Sequence, residues 1–251
     1  MKYKIEDGKH YVIGNAAEVL EEYESEAAVI ALDDAWAFPQ RITRFDADFT
    51  THPFDESQDD VSSSLNVDDS VTTTDILDSC YDALQDGGWL IADAEDWLLP
   101  HLIQYLKEEW GDAAQTDDEY DGGGYRRTGG VTYLNSKGEP ERNSDRKYFS
   151  SGGYSVVFAH KGKTDRQTTV SVRQFATRPE KWNDENVKPF SPYETWLGAL
   201  MEPDELLLVP CAATAPAAIA AERELDSVRY ACIDTDEEWV DVFKKRRSEN
   251  I

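Results

Sequence analysis

The sequence predicts an α/β fold, a mostly parallel sheet with helices on both faces. Two observations carry this. Short apolar runs of strand length alternate along the chain with segments of helical period, the pattern of strands joined by crossover helices. One of those runs, AAVIAL from Ala27 to Leu32, is apolar without interruption, as a strand buried on both faces is. No internal repeat or low-complexity linker divides the 251 residues, and a chain of this length can bury one substantial core. A single domain over residues 1–251 is expected.

The elements follow in order. His10 to Gly14 (HYVIG) reads as a short strand and Ala16 to Tyr23 as a helix. The Ala27–Leu32 strand ends at Asp33-Asp34-Ala35-Trp36, and residues 37–70, polar and poor in aliphatics, form a long loop. Thr73 or Thr74 caps a helix that runs to about Gln85. Asp86-Gly87-Gly88 stops it, and Trp89 to Ala92 is the next strand. Leu98 to Trp110 has the period of an amphipathic helix. Gly129 to Leu134 and Tyr154 to His160 read as an antiparallel pair joined by a polar loop, and Ser191 to Ala199 as a helix. Leu206 to Val209 is a strand, 216–224 an Ala-rich helix with Pro216 in its first turn, Arg229 to Ile233 a strand, and Glu237 to Arg247 the closing helix.

Composition narrows the function classes. The chain carries 51 Asp and Glu against 25 Lys and Arg, a net charge of −26, yet 40% of it is hydrophobic and it holds seven Trp. That apolar content excludes a disordered acidic chain. Acidic residues spread over nearly the whole length repel one another at low salt, so the surface suits a salt-rich, halophilic cytoplasm. Three Cys without paired spacing argue against a disulfide framework or a cysteine zinc site and for a reducing cytosol. The start MKYKIEDGKHYVIG has no apolar signal core, and Pro210 and Pro216 interrupt the longest apolar stretch. A cytoplasmic protein without a membrane span is expected.

The charge is uneven. From Arg126 to Lys188 there are 13 Lys and Arg against seven Asp and Glu, a local net of +6, which leaves −32 for the rest. Tyr133, Tyr148, Phe149 and Tyr154 are interleaved with these bases. Bases, aromatics and glycines together suit a nucleic-acid backbone and unstacked bases. A surface hairpin whose bases pair with acidic neighbours is an equal alternative.

In open parallel sheets, ligands sit beyond the carboxyl ends of the strands, near the reversal of strand order. That singles out Asp33 to Trp36, Pro210 to Pro216, Asp234 to Asp236, and the Asp93, Glu95 and Asp96 that follow another strand. Pro210-Cys211-Ala212-Ala213-Thr214-Ala215-Pro216 offers small residues where a backbone must approach a ligand, and Asp234 ends the next strand. Small residues under a ligand with a carboxylate about 20 residues on is an arrangement that holds a nucleoside. Close packing of helix on sheet, with Asp234 capping the last helix, is the structural alternative. Asp33, Asp34, Asp93 and Asp96 also make a set of hard oxygen ligands, as in a metal-dependent hydrolase. In a chain with 51 carboxylates such clusters arise by chance, and the four His lack ligand spacing, so no metal is assigned.

The stretch NVKPFSPYETWLGALMEPDELLLVPCAATAPAAIAAERELDSVRYACIDTDEEWVDVFKKR resembles the end of a DNA amino-methyltransferase of the circularly permuted, beta-class-like kind. Those enzymes place the catalytic motif first and the S-adenosylmethionine motif last. The latter runs Lys-Pro, helix, Asp-Pro-Phe-x-Gly-Ser-Gly-Thr-Thr, helix, acidic strand end. Lys188-Pro189 matches, Val209 to Ala217 aligns with the cofactor motif, and Asp234 falls on the ribose-binding acid. Asp33-Asp34-Ala35-Trp36 takes the place of the catalytic Asp-Pro-Pro-Tyr/Trp. ILDSCYDALQDGGWLIADAEDW is similar to the helix, turn and strand that follow it, YSVVFAHKGK to the outer strand and VIGNAAEVL to the N-terminal strand.

The resemblance implies a Rossmann-like methyltransferase fold with a seven-stranded sheet and S-adenosylmethionine as cofactor. It assigns Asp33, Asp34 and Trp36 to catalysis, and Lys188, Pro210, Cys211, Ala212, Ala213, Thr214 and Asp234 to the cofactor, within a cofactor-binding half at 187–247. The implied reaction is methylation of an exocyclic amino group of DNA, adenine favoured over cytosine by the Asp in first position, on double-stranded DNA with the base flipped. A short target-recognition segment at 111–153 supplies Arg126, Arg127, Arg142, Arg146 and Lys147 as candidate DNA contacts. The motifs depart from the family: Val209 stands for the Asp, Cys211 for the Phe, Ala213 and Ala215 for the glycines, and both catalytic prolines are gone. Those departures supply the alternative, a catalytically impaired homologue that binds nucleic acid or protein through the same scaffold.

Overall fold

The structure, a computed structural model, describes residues 1–33, 73–94, 98–114, 122–141, 152–166, 168–179 and 187–251. Asp34 and Trp36, the 37–70 loop, Glu95 and Asp96, and Arg142, Arg146, Lys147, Tyr148 and Phe149 lie outside the described residues.

Among the described residues the strands are β1 (Lys2–Glu6), β2 (Lys9–Ile13), β3 (Ala27–Leu32), β4 (Leu84–Ala94), β5 (Gly124–Leu134), β6 (Gly153–His160), β7 (Arg173–Thr177), β8 (Leu206–Pro210) and β9 (Arg229–Asp234). The helices are α1 (Ala16–Leu20, continued by a 3₁₀ turn), α2 (Thr73–Ala83), α3 (Leu99–Tyr105, continued by a π turn to Trp110), α4 (Phe190–Leu200), α5 (Pro216–Glu224) and α6 (Glu238–Asn250). One sheet holds all nine strands in the order β1-β2-β9-β8-β3-β4-β6-β5-β7. Strands β2, β9, β8, β3 and β4 pair in parallel, and β6 runs antiparallel between β4 and β5.

The expected α/β architecture is therefore present, but the sheet has nine strands where seven were expected. The additional two are its edges: β1 pairs antiparallel with β2, and β7 parallel with β5. Neither holds an apolar run, because an edge strand of this kind leaves alternate residues to solvent. KYKIE alternates exposed and half-buried positions, and in RQFAT only Ala176 is buried. The second difference lies at Gly87-Gly88, which bulges the strand rather than preceding it. The register with β3 jumps from Ala27↔Leu84 to Val29↔Trp89. A Cβ on Gly88 would meet the Ala27 carbonyl oxygen at 2.8 Å, and Gly87 holds φ +76°, so both positions call for glycine.

Side chains alternate across the sheet and build two apolar layers. Ile30, Leu208 and Ala231 face Leu20, Ile76, Leu77, Leu102 and Leu106 of α1, α2, α3 and its π turn. Val29, Leu207 and Tyr230 face Tyr193, Trp196, Ile219 and Phe243 of α4, α5 and α6. Every residue of β3 and of β8 is buried, as their unbroken apolar runs predict. From β8 the chain moves through α5 to β9 on one side, and from β3 through α2 to β4 on the other. The strand order reverses between β8 and β3, and ligand sites of open α/β sheets lie there.

Candidate functional site

The loop from β8 into α5 is built by backbone conformation. Cys211, Ala213 and Ala215 have φ of +54°, +42° and +45°, left-handed values that L side chains rarely adopt. Two of these are the positions where the resembled motif carries glycine, so the loop keeps a glycine geometry with alanines in it. The Ala212 amide donates to the Ile233 carbonyl at 2.9 Å and the Ala215 amide to the Ala212 carbonyl at 2.6 Å. Tyr11, fully buried on β2, donates its hydroxyl to the Ala213 carbonyl at 2.8 Å. Ala212 and Ala215 are themselves fully buried and join the apolar layer beneath α5. The Ala215 methyl therefore packs into the protein.

Asp234, at the end of β9, closes the loop from the next strand. Its Oδ2 accepts from the Ala213 amide at 2.8 Å and its Oδ1 from the Asp236 amide at 3.1 Å. Burial pushes this carboxyl above its usual range, against the opposing pull of the backbone N–H groups of Ala213, Asp236 and Thr235. A half-buried carboxylate with its geometry fixed by amides retains lone pairs for a ligand's hydroxyls.

Across the reversal point, the Asp33 amide at the end of β3 reaches the Pro210 carbonyl at 3.5 Å. The Asp33 carboxylate accepts from Lys188 Nζ at 2.9 Å, and the same ammonium lies 2.8 Å from Asp93 Oδ2. Asp93, 1% exposed on β4, also accepts from the Tyr193 hydroxyl of α4 at 2.5 Å. Burial and Asp93 push the Tyr193 phenol well above its usual range, so it stays a donor. Lys188 Nζ also lies 5.4 Å from the centroid of the Tyr154 ring. Lys188, one of the expected cofactor-binding residues, bridges the two carboxylates with its ammonium, and its carbonyl accepts from Arg246 Nη2 at 2.8 Å. A fixed protein cation thus occupies the place between Asp33 and Asp93 that the metal reading reserves for an ion. Among the described residues no group of three or more His, Cys, Asp or Glu is arranged to hold one.

Of the candidate DNA contacts, Arg127 is exposed on β5, and Arg126 turns back to bond the Ala113 carbonyl. Sequence reasoning missed Tyr11, Tyr193 and Arg246. Arg246 left a signal: Val240, Phe243 and Arg246 repeat at every third residue of α6, the buried stripe of that helix. Tyr193 left none, because its partner lies 100 residues away.

No protein-family model matches the sequence, and no curated protein is significantly similar to it. Solved structures are similar in shape. M1.HpyAVI in complex with SAM superposes with a TM-score of 0.65 at 11% identity, over 94% of this chain and 97% of its own. PvuII DNA methyltransferase (cytosine-N4-specific) gives 0.62 at 11% identity, over 95% and 89%. TTHA0409 from Thermus thermophilus, complexed with S-adenosyl-L-methionine, gives 0.60 at 13% identity, over 96% and 93%. The chain shares the fold of these solved structures. In that fold the described site occupies the reversal point, with the 210–216 loop and Asp234 on one side and the Asp33, Lys188 and Asp93 group on the other. Among the described residues no helix is long and apolar enough to cross a membrane.

Proposed function

We propose that the chain is an S-adenosylmethionine-dependent DNA methyltransferase of circularly permuted order, acting on an exocyclic amino group, adenine favoured over cytosine, in molar salt inside the cytoplasm. The observation that carries this reading is the 211–215 loop, left-handed at Cys211, Ala213 and Ala215, bonded through the Ala213 amide to the strand-end carboxylate Asp234 and adjoining Asp33 across the strand reversal. The chain's likeness to structures solved with S-adenosylmethionine supports it.

The residues fit the cofactor. Asp234 would accept the ribose hydroxyls, and the 211–215 backbone would lie under the nucleoside, with the Ala215 methyl buried on the far side. When bound, the cofactor supplies an electrophilic methyl group. Everything else falls to the chain. The amino group of a base is a poor nucleophile because its lone pair is delocalised into the ring. Hydrogen bonds from its N–H groups to the Asp33 carboxylate and to the carbonyl of residue 34 favour the pyramidal form. Asp33 then balances the positive charge that grows on nitrogen and draws off the surplus proton. Lys188, on Asp33 Oδ1, sets the carboxylate's orientation. Trp36 would stack on the flipped base and offset part of the cost of extrusion, about a few kcal/mol. Arg126 and Arg127, with Arg142, Arg146 and Lys147, would meet double-stranded DNA. At molar salt their fields are screened, so stacking and base contacts carry more of the affinity.

Calorimetric titration of S-adenosylmethionine at multimolar KCl tests the reading. Micromolar binding is expected, weakened at least tenfold by Asp234→Ala, or about 1.4 kcal/mol. Labelled-methyl transfer to DNA, abolished by Asp33→Ala, should follow. Absence of binding by folded protein would favour the alternative, a catalytically impaired homologue that binds nucleic acid or protein.

A further inference from the structure

Arg246 on α6 is a buried charge that the site does not yet explain. The side chain is 1% exposed, and among the described residues the Asp33 carboxylate acts on it through space without a direct ion pair. Its guanidinium carbon sits 4.4 Å from the Phe190 ring centroid, and its buried Nε has no hydrogen-bond partner among the described residues. Burial lowers its pKa to about 10. A guanidinium buried without a contacting carboxylate is costly unless hydrogen bonds offset its desolvation. Its bonds are specific. Nη1 donates to Thr214 Oγ1 at 2.8 Å and reaches the Thr214 carbonyl at 3.5 Å, and Nη2 donates to the Lys188 carbonyl at 2.8 Å. Thr214 stands between the two left-handed alanines, and Lys188 carries the ammonium that holds Asp33 and Asp93.

We propose that Arg246 is a positioning residue that clamps the 211–215 loop in its left-handed form and locks it to the Lys188 segment, so that cofactor loop and Asp33 keep a single spacing. Glycines at 213 and 215 would hold this backbone unaided, whereas alanines relax towards negative φ once the clamp is gone. For its ligand the proposal rests on the S-adenosylmethionine reading above. The geometry of the clamp does not.

Two readouts on the full chain at multimolar KCl test it: amide hydrogen exchange over 211–216, and S-adenosylmethionine affinity. The variants are Arg246→Gln, Thr214→Val, and Arg246→Gln combined with Ala213→Gly and Ala215→Gly. Faster exchange at 211–216 than in β3 and β8 is expected for both single substitutions, with affinity reduced at least tenfold. The two glycines should restore most of that affinity in the Arg246→Gln background. Wild-type exchange and affinity in both single variants would overturn the proposal. So would a uniform loosening of the whole sheet that the glycines do not reverse. Should Arg246→Gln fail to fold, Thr214→Val decides, because it removes the same bond from its other end. Should the wild type bind no S-adenosylmethionine, the proposed function fails and the exchange pattern still judges the clamp.

Discussion

Cys211, Ala213 and Ala215 each hold a backbone that disfavours an L side chain by roughly 1–2 kcal/mol. The loop is kept there by neighbours: Tyr11, Asp234, Ile233 and Arg246 each bond it. Ala213→Gly should therefore stabilise the protein by about 1 kcal/mol, a rise in melting temperature of about 2–4 °C for a chain of this size. Ala215→Gly should gain less, because its methyl is fully buried and a small cavity offsets the relief of strain. Glu222 is a residue of the opposite kind, an ion-pair hub outside the site. Its side chain, 3% exposed, binds Lys9 at 2.7 Å and Arg247 at 2.6 Å and accepts from the Tyr230 hydroxyl at 2.7 Å. Those partners outweigh burial and hold its carboxyl below the usual range. A depressed carboxyl contributes stability that is complete above its ordinary value near 4.5 and is lost as pH falls through the folded value. Acid unfolding followed by circular dichroism should show a steeper loss below pH 4.5 in wild type than in Glu222→Gln. At neutral pH that variant should be less stable by about 3 kcal/mol, since it leaves a buried network without its charge.

At the scale of elements, the bulge in β4 makes the sharpest prediction. Gly88→Ala places a methyl 2.8 Å from the Ala27 carbonyl oxygen and 2.9 Å from that of Gln85. Backbone must shift at the first rung of the β3–β4 pair, so a loss of about 1–3 kcal/mol is expected in chemical denaturation. The same strand shows what a sequence can and cannot announce. Buried parallel strands announce themselves: AAVIAL and LLLVP are apolar on both faces, and Pro216 marks the start of α5. A glycine pair reads as a stop, although here it widens the register within one strand. Edge strands such as RQFAT carry no apolar run because half of each faces water. That β3, β8 and β9 are strands ending at Asp33, Pro210 and Asp234 was legible, because each apolar run stops at a polar residue or a proline. The left-handed loop was not, because glycine is its usual signal and alanine gives none. The bridge from Lys188 to Asp33 was hidden too, since it joins residues 155 apart.

For the molecule as a whole, the net charge of −26 is the dominant electrostatic fact. Self-repulsion acts over about 10 Å at 0.1 M salt and about 3 Å at 1 M. Melting temperature should climb through molar KCl and level off once neighbouring carboxylates are screened. A melting temperature independent of KCl would show that surface repulsion does not limit stability. The ion pairs around Glu222 resist screening because they are buried, so Glu222→Gln should lose a similar amount at low and high salt.

The seam between β3 and β8 has one more consequence, which concerns the order in which the chain is made. β3 is synthesised early and its partner β8 late, and β2 likewise waits for β9. Until then the AAVIAL strand has one flank unpaired, a hydrophobic edge able to join another chain. Contacts this distant in sequence close slowly. A growing chain therefore carries this apolar strand with one flank unpaired until β8 has been made.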